Sequence, residues 1–244
     1  VTMKLLTENN PKALKSEALG YATAILHLAP YDLSGTNVCP FAKQAKCFEG
    51  CLNTAGRGQM TSIQQSRIRK TRLFVDHREE FFALLRSDIE AFLRRCDRRG
   101  LTPSVRLNGT SDILWENESV GFKPNIFEHF RDVQFYDYTK VAKRLERELP
   151  FNYHLSLSYS EANLSYARQV WKTHAKTNCN VVVVVRNDEV KQQWLDAPVF
   201  HTVDGDKSDL RFLESGAIVV LRAKGRAKHD ASGFVLDGFA KATN

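Results

Sequence analysis

The chain has 244 residues, 43% hydrophobic and 26% charged, with a formal net charge of +7. That length supports a buried core without disulfide staples, and an odd number of cysteines, five, argues against a disulfide framework. No apolar run reaches the roughly 20 residues that span a bilayer, and the first residues lack a signal-peptide core, so a cytoplasmic protein without membrane contact is expected.

In chain order, the first strand is expected at residues 21–28, followed by a loop carrying Cys39, Cys47 and Cys51. A helix is expected near 64–74 and another from Asp76 to about Cys96. There Asp76 and Glu79 have capping-box spacing, and Phe81, Phe82, Leu85, Ile89, Phe92, Leu93 and Cys96 recur every three or four residues. Further strands are expected at 103–108, 132–137, 153–158, 180–186, 199–203 and 217–222. The valine run inside 180–186 has the character of a parallel strand covered on both faces. A short helix at 140–148, a helix starting at Ser160 with Leu164, Ala167, Trp171 and Ala175 on one face, and a short helix at 208–213 complete the pattern. Strands alternating with helices imply right-handed crossovers and an α/β fold, a single domain over 1–244 built as a complete or partial (β/α) barrel with parallel strands. An open doubly wound sheet is the competing architecture.

Polar residues gather where the strands end, which is where such folds place their sites. Asn108, Ser111, Ser158, Arg186 and Asp204 are the candidate cofactor-binding residues, and Asp112, Lys140 and Glu161 the candidate acid, base or proton-transfer groups. The cysteine loop leaves the same mouth, with the spacing C-x7-C-x3-C. Clustered thiols outside the secretory route are more often metal ligands than disulfides, and three thiolates leave one position of a zinc ion or an iron-sulfur cluster open. His27 is the nearest histidine, and a core role competes with ligation there. Cys96 ends a helix and Cys179 precedes a strand by its far end, so both are expected in the core.

Two other groups have a plain reading beside a functional one. Asp204, Asp206 and Asp209 with Ser208 suit magnesium or, more simply, a turn and a helix cap. The segment 222–228 follows the last expected strand, and its Gly225 permits close backbone approach to a phosphate. Basic residues are grouped at 67–72, 94–99, 140–147 and 222–228, either as solvated faces or as a footprint for an anionic partner.

The segments Leu26-His-Leu-Ala-Pro30, Cys51-Leu-Asn-Thr-Ala-Gly-Arg-Gly58, Arg69-Lys-Thr-Arg72, Arg106-Leu-Asn-Gly-Thr-Ser-Asp112, Gln134-Phe-Tyr-Asp-Tyr-Thr-Lys140 and Asp204-Gly-Asp-Lys-Ser-Asp-Leu-Arg211 resemble a family of uncharacterised phage and mobile-element proteins, the gene-product-88-like proteins. The resemblance covers nearly the whole chain and implies no activity. A second resemblance, in architecture only, is to radical S-adenosylmethionine enzymes, which hold three irons of a cluster on a three-cysteine loop after the first barrel strand. The usual C-x3-C-x2-C spacing and the Gly-Gly-Glu segment of those enzymes are missing here.

The expectation from sequence is an iron-sulfur protein whose cluster is held by Cys39, Cys47 and Cys51. Its open iron would take a small-molecule cosubstrate, S-adenosylmethionine in the radical-enzyme reading; zinc is the alternative metal. The alternative function is a nucleic-acid-binding protein with basic helices on phosphates and a structural zinc or cluster site.

Overall fold

The computed structural model describes residues 3–8, 11–122 and 124–239. The fold is mixed α/β, with a mostly parallel sheet of nine strands among the described residues. The described pairings do not close that sheet into a barrel. The chain divides into two compact units. One comprises residues up to Cys39, Met60–Asp137 and Leu149–His154; the other comprises Pro40–Gln59, Tyr138–Glu148 and everything from Leu155 on.

The first unit contains, in chain order, β1 (Leu6–Thr7), α1 (Pro11–Glu17), β2 (Tyr21–Leu26), α2 (Tyr31–Ser34), α3 (Thr61–Asp76), α4 (Arg78–Arg99), β3 (Thr102–Arg106), α5 (Ile126–His129) and most of β4 (Gln134–Thr139). β1 runs antiparallel to β2, while β2, β3 and β4 are parallel, with Tyr21 opposite Thr102 and Ser104 opposite Gln134. The α4 stripe is buried as its spacing requires, Phe81, Phe82, Leu85, Ile89, Phe92 and Cys96 all facing inward. Gly100, at φ 62°, ends the helix in the left-handed region, and Arg98 and Arg99 complement the negative end of its dipole. Phe74, Phe81, Phe82 and Trp115 form an edge-to-face and stacked aromatic cluster, with Phe74 and Phe81 centroids 5.1 Å apart.

The start of α4 differs from the expectation. Asp76 is the last residue of α3, and α4 begins at Arg78 after His77, which makes no side-chain cap bond. The expected capping box is therefore absent, because the backbone break falls at His77 and leaves Asp76 inside the preceding helix.

The second unit contains α6 (Ala142–Leu145), most of β5 (Tyr153–Ser158), α7 (Leu164–Thr177), β6 (Val181–Val185), α8 (Asp188–Leu195), β7 (Thr202–Asp204), β8 (Ile218–Arg222) and β9 (Val235–Leu236). Its order is β5-β6-β8-β7, all parallel, with β9 pairing to the end of β6. Four of the five β6 valines are buried, as a central parallel strand demands. Buried Asn180 sets the start of this sheet: its amide donates to the carbonyls of Arg211 and Glu214, and its carbonyl accepts from Ala217 N–H at 3.1 Å.

Three helical expectations are corrected in this unit. α7 starts at Leu164 rather than Ser160, since the Asn163 side chain accepts from Tyr166 N–H and caps it there. Its buried face is Tyr166, Ala167, Val170 and Thr173, whereas Leu164 is 71% exposed and Ala175 also faces solvent. The expected helix at 208–213 is only a 3-10 turn, Arg211–Leu213, and the one at 140–148 is a single turn, α6. Among the described residues, no helix is long and apolar enough to cross a membrane.

Candidate functional site

In the first unit, the ends of β2 and β3 hold a buried polar cluster. The segment after β3 turns back so tightly at Gly109 that a Cβ there would lie 2.7 Å from the Leu26 carbonyl. Asn108 is the hub: its backbone N–H donates to Asp137 at 2.8 Å, and its side-chain Oδ1 accepts from the Ser111 hydroxyl, Ile113 N–H and the Trp115 indole. Asp137 also accepts from the Tyr153 hydroxyl, 3.1 Å. Asn108, Ser111 and Asp112 are each no more than 5% exposed. Asn108 and Ser111, two of the expected cofactor-binding residues, are thus brought together, and their hydrogen bonds knit the strand ends to the aromatic core.

The cysteine loop is held at several points. In the first unit, Asp112 N–H donates to the Val38 carbonyl at 2.8 Å, and the Cys39 thiol lies 3.9 Å from the Thr110 carbonyl. In the second unit, the Cys47 thiol lies 3.8 Å from the Ala42 carbonyl. Gly225, at φ +58°, approaches Thr54 so closely that a Cβ would sit 2.7 Å from the Thr54 carbonyl, and Arg226 N–H donates to the Thr54 hydroxyl. The close approach that Gly225 permits is therefore occupied by the cysteine loop itself. Cys39 and Cys51 are half-buried and Cys47 is buried. Cys96 and Cys179 lie in the core, as expected, and burial pushes both thiols up, Cys96 to about 11.

Whether these residues suit a metal can be judged from the donor arrangement. Among the described residues, no group of three or more His, Cys, Asp and Glu side chains is placed to hold a metal ion. Cys39 and Cys47 lie within sulfur hydrogen-bond distance of backbone carbonyls, and either would have to give up its proton to act as a metal ligand.

The remaining expected site residues belong to the second unit, and several are used inside it. Arg186 donates to Asp237 at 2.7 Å and to the carbonyls of Ala227, Lys228 and Asp230, tying the end of β6 to the segment after β8. Asp204 and Asp206 both accept from Lys191, at 2.5 and 3.0 Å, and Asp206 also accepts from Lys224 and from Arg222 N–H. Burial works against the Asp206 carboxylate, but these donors outweigh it and hold its pKa well below the usual range. Asp209 accepts from the Tyr138 hydroxyl at 3.2 Å, and Leu210 N–H donates to Ser208. Asp204 and Asp206 thus form a turn held by lysines, while Asp209 is held by Tyr138. The Ser158 carbonyl accepts from the Tyr166 hydroxyl, Glu161 N–H donates to Gly233, and Lys140 is half-buried beyond β4.

A different feature of the first unit was not foreseen. An open groove of about 610 Å³ is lined by Lys4, Leu6, Thr7 and Glu8 around β1, Ser66 and Lys70 of α3, and Arg95 and Arg99 of α4. The Arg95 guanidinium donates twice to the Glu8 carboxylate, at 2.6 and 3.0 Å, and Lys4 donates to the same carboxylate at 2.8 Å. Lys70 is 5% exposed and donates to the Leu5 carbonyl at 2.7 Å. Burial pushes its pKa down to about 8 against the opposing pull of Asp88. Asp88 in turn accepts from the N–H groups of Leu5 and Leu6, fixing β1 beside α4. The i, i+4 spacing of Arg95 and Arg99 was legible in the sequence, but β1 is two residues long and gave no period to recognise.

Elsewhere on the two helices, Arg69 and Arg72 of α3 and Arg94 and Arg98 of α4 are exposed and make no ion pair among the described residues. Neither a curated protein nor a solved structure matches the chain. The likeness to radical S-adenosylmethionine enzymes finds no support in these comparisons. A family model described as gene product 88 matches residues 3–238.

Proposed function

The chain belongs to this gene product 88 family, a phage-like one, and we propose that it binds nucleic acid through the arginines of α3 and α4. The observation that carries the reading is the set Arg69, Arg72, Arg94 and Arg98, four exposed guanidinium groups without carboxylate partners among the described residues. Such groups gain little from the fold and are free to engage phosphate oxygens, for which the planar guanidinium fork is well shaped. Arg94 and Arg98 are one turn apart on the same face of α4, about 6 Å along the axis at 1.5 Å per residue. The net charge of +7 favours the encounter. Binding of this kind releases counterions, so affinity for a duplex should fall steeply with salt, with a slope near −0.9 per phosphate neutralised. The test is fluorescence anisotropy with a labelled duplex across a salt series. Replacing Arg94 and Arg98 with alanine should reduce the slope by about 2; an unchanged slope would sink the proposal.

A second reading gives the cysteine loop a soft metal, and the partial exposure of Cys39 and Cys51 beside the core positions of Cys96 and Cys179 favours it. In that reading Cys39, Cys47 and Cys51 hold zinc or a four-iron four-sulfur cluster, and the parallel strands wall a complete or partial (β/α) barrel. A bound cluster supplies electron transfer, with S-adenosylmethionine as the small-molecule cosubstrate. The chain's own part is to release the Thr110 and Ala42 carbonyls from the two thiols and draw the loop together. Asp112, Lys140 and Glu161 are then the groups to move protons. Anaerobic purification with iron, sulfide and zinc analysis decides it: stoichiometric metal lost in Cys47→Ala and kept in Cys179→Ala supports the site, and absence of metal from the parent protein rejects it.

A further inference from the structure

From the groove between β1, α3 and α4 we infer a binding site for a phosphate monoester, the dianionic phosphate of a nucleotide or of a nucleic-acid 5′ end, with Glu8 as the internal anion that such a ligand displaces. This site is separate from the exposed arginine face and takes a small ligand, so it can fail or succeed independently of the function proposed above.

Three observations carry it. First, the described lining carries more positive than negative charge: Lys4, Lys70, Arg95 and Arg99 border it with Glu8, while Glu17 pairs with Arg99 and Asp88 acts on Lys70 from beside it. Clustered cations repel one another, and that repulsion is relieved by an anion. Second, the donors already converge on an anion. Glu8 receives both arms of the Arg95 fork and the Lys4 ammonium, and a phosphate presents the same pair of oxygens to such a fork. Replacing a monoanion by a dianion at this point strengthens each of those contacts and frees Glu8 to solvent. Third, further donors border the same space. The Lys70 ammonium commits one of its three N–H groups to Leu5, Ser66 offers a hydroxyl, and Arg99 is held only by a surface bridge to Glu17.

The dimensions narrow the ligand. A volume of about 610 Å³ lies in the range of small-molecule sites and exceeds what phosphate alone fills. Its described lining has no aromatic side chain on which a base can stack, the apolar contribution coming from Leu6. The recognised part is therefore phosphate and sugar, and the four nucleoside 5′-monophosphates should bind about equally.

Isothermal titration of the intact protein with inorganic phosphate and with nucleoside 5′-monophosphates tests this. Glu8→Gln removes the competing carboxylate and should tighten phosphate binding about tenfold, whereas Arg99→Gln should weaken it about threefold. Lys70→Met should abolish it; because Lys70 is buried, the Glu8→Gln arm, with its circular dichroism compared to the parent, keeps the test independent of folding. A folded Glu8→Gln protein that binds phosphate no more tightly than the parent would overturn the assignment. Matched oligonucleotides with a 5′-phosphate or a 5′-hydroxyl separate the sources: preference for the phosphorylated end supports a strand terminus, and equal binding with retained nucleotide affinity assigns the site to the free nucleotide.

Discussion

Charge is matched differently at two places, the ends of β7 and β8 in the second unit and the outer faces of α3 and α4 in the first. In the second unit, Asp188, Asp204 and Asp206 are matched by Lys191, Arg222 and Lys224 around the ends of β7 and β8 and the start of α8. In the first unit, Arg69, Arg72, Arg94 and Arg98 face solvent without ion pairs among the described residues, and in the groove Lys4 and Arg95 share the Glu8 carboxylate while Arg99 pairs with Glu17. In the second unit Asp204 and Asp206 are engaged by Lys191 and Lys224, and on the reading proposed above the basic helices are where an anion binds.

The contrast can be broken most forcefully at Lys191, whose side chain is only 11% exposed between Asp204 and Asp206. Lys191→Ala leaves two partly buried carboxylates facing each other and should cost about 3 kcal/mol of stability in urea unfolding. A loss below about 0.5 kcal/mol would mean that this network is a surface ornament after all. Next in size is the acid response of Asp206. Its folded pKa is depressed, so its stabilising contribution is present above the unfolded carboxylate value near 4 and is lost as pH falls through the lower folded value. Unfolding curves between pH 5 and about 2 should show a decline in the parent that is shallower in Asp206→Asn.

In the first unit Lys70 gives the same sign of pH dependence in the alkaline range, but from a charge that burial disfavours. Its pKa near 8 lies below the unfolded value near 10.4, so the unfolded chain binds more protons between these values and stability rises with pH across that window. Asp88 opposes the shift, while Arg67, Arg69 and Lys4 reinforce it. Lys70→Met should flatten the rise, read as the difference between parent and variant unfolding curves. The smallest stability effect belongs to the exposed arginines: Arg94→Ala should change unfolding by less than about 0.5 kcal/mol. Thiol labelling adds a comparison among the cysteines, since iodoacetamide should modify Cys39 and Cys51 in the native protein and reach Cys96 and Cys179 only on unfolding.

Much of the sheet was legible because its strands are distinct apolar runs bounded by polar residues, the β6 valines most plainly. The two-residue strands β1 and β9 carry no period and were invisible, although β1 builds the groove. Asp76 and Ser160 misled because a cap requires a particular backbone geometry, which composition does not set; His77 and Asn163 hold those positions instead. The candidate residues do lie at or near strand ends, but sequence spacing did not disclose who pairs with whom. Arg186 holds the segment after β8, Asp204 holds Lys191, and Gly225 receives Thr54 rather than a phosphate. The cysteine spacing was conspicuous, yet among the described residues the thiols do not gather with other ligands.

The most direct measurement of the central claim is the salt dependence of duplex binding for the parent protein and for the variant with Arg69, Arg72, Arg94 and Arg98 all replaced by alanine. Steep salt dependence in the parent and a slope shallower by about 3 to 4 in the folded variant is the expected result. Binding that is absent from the parent, or whose salt slope is the same in both proteins, would contradict it.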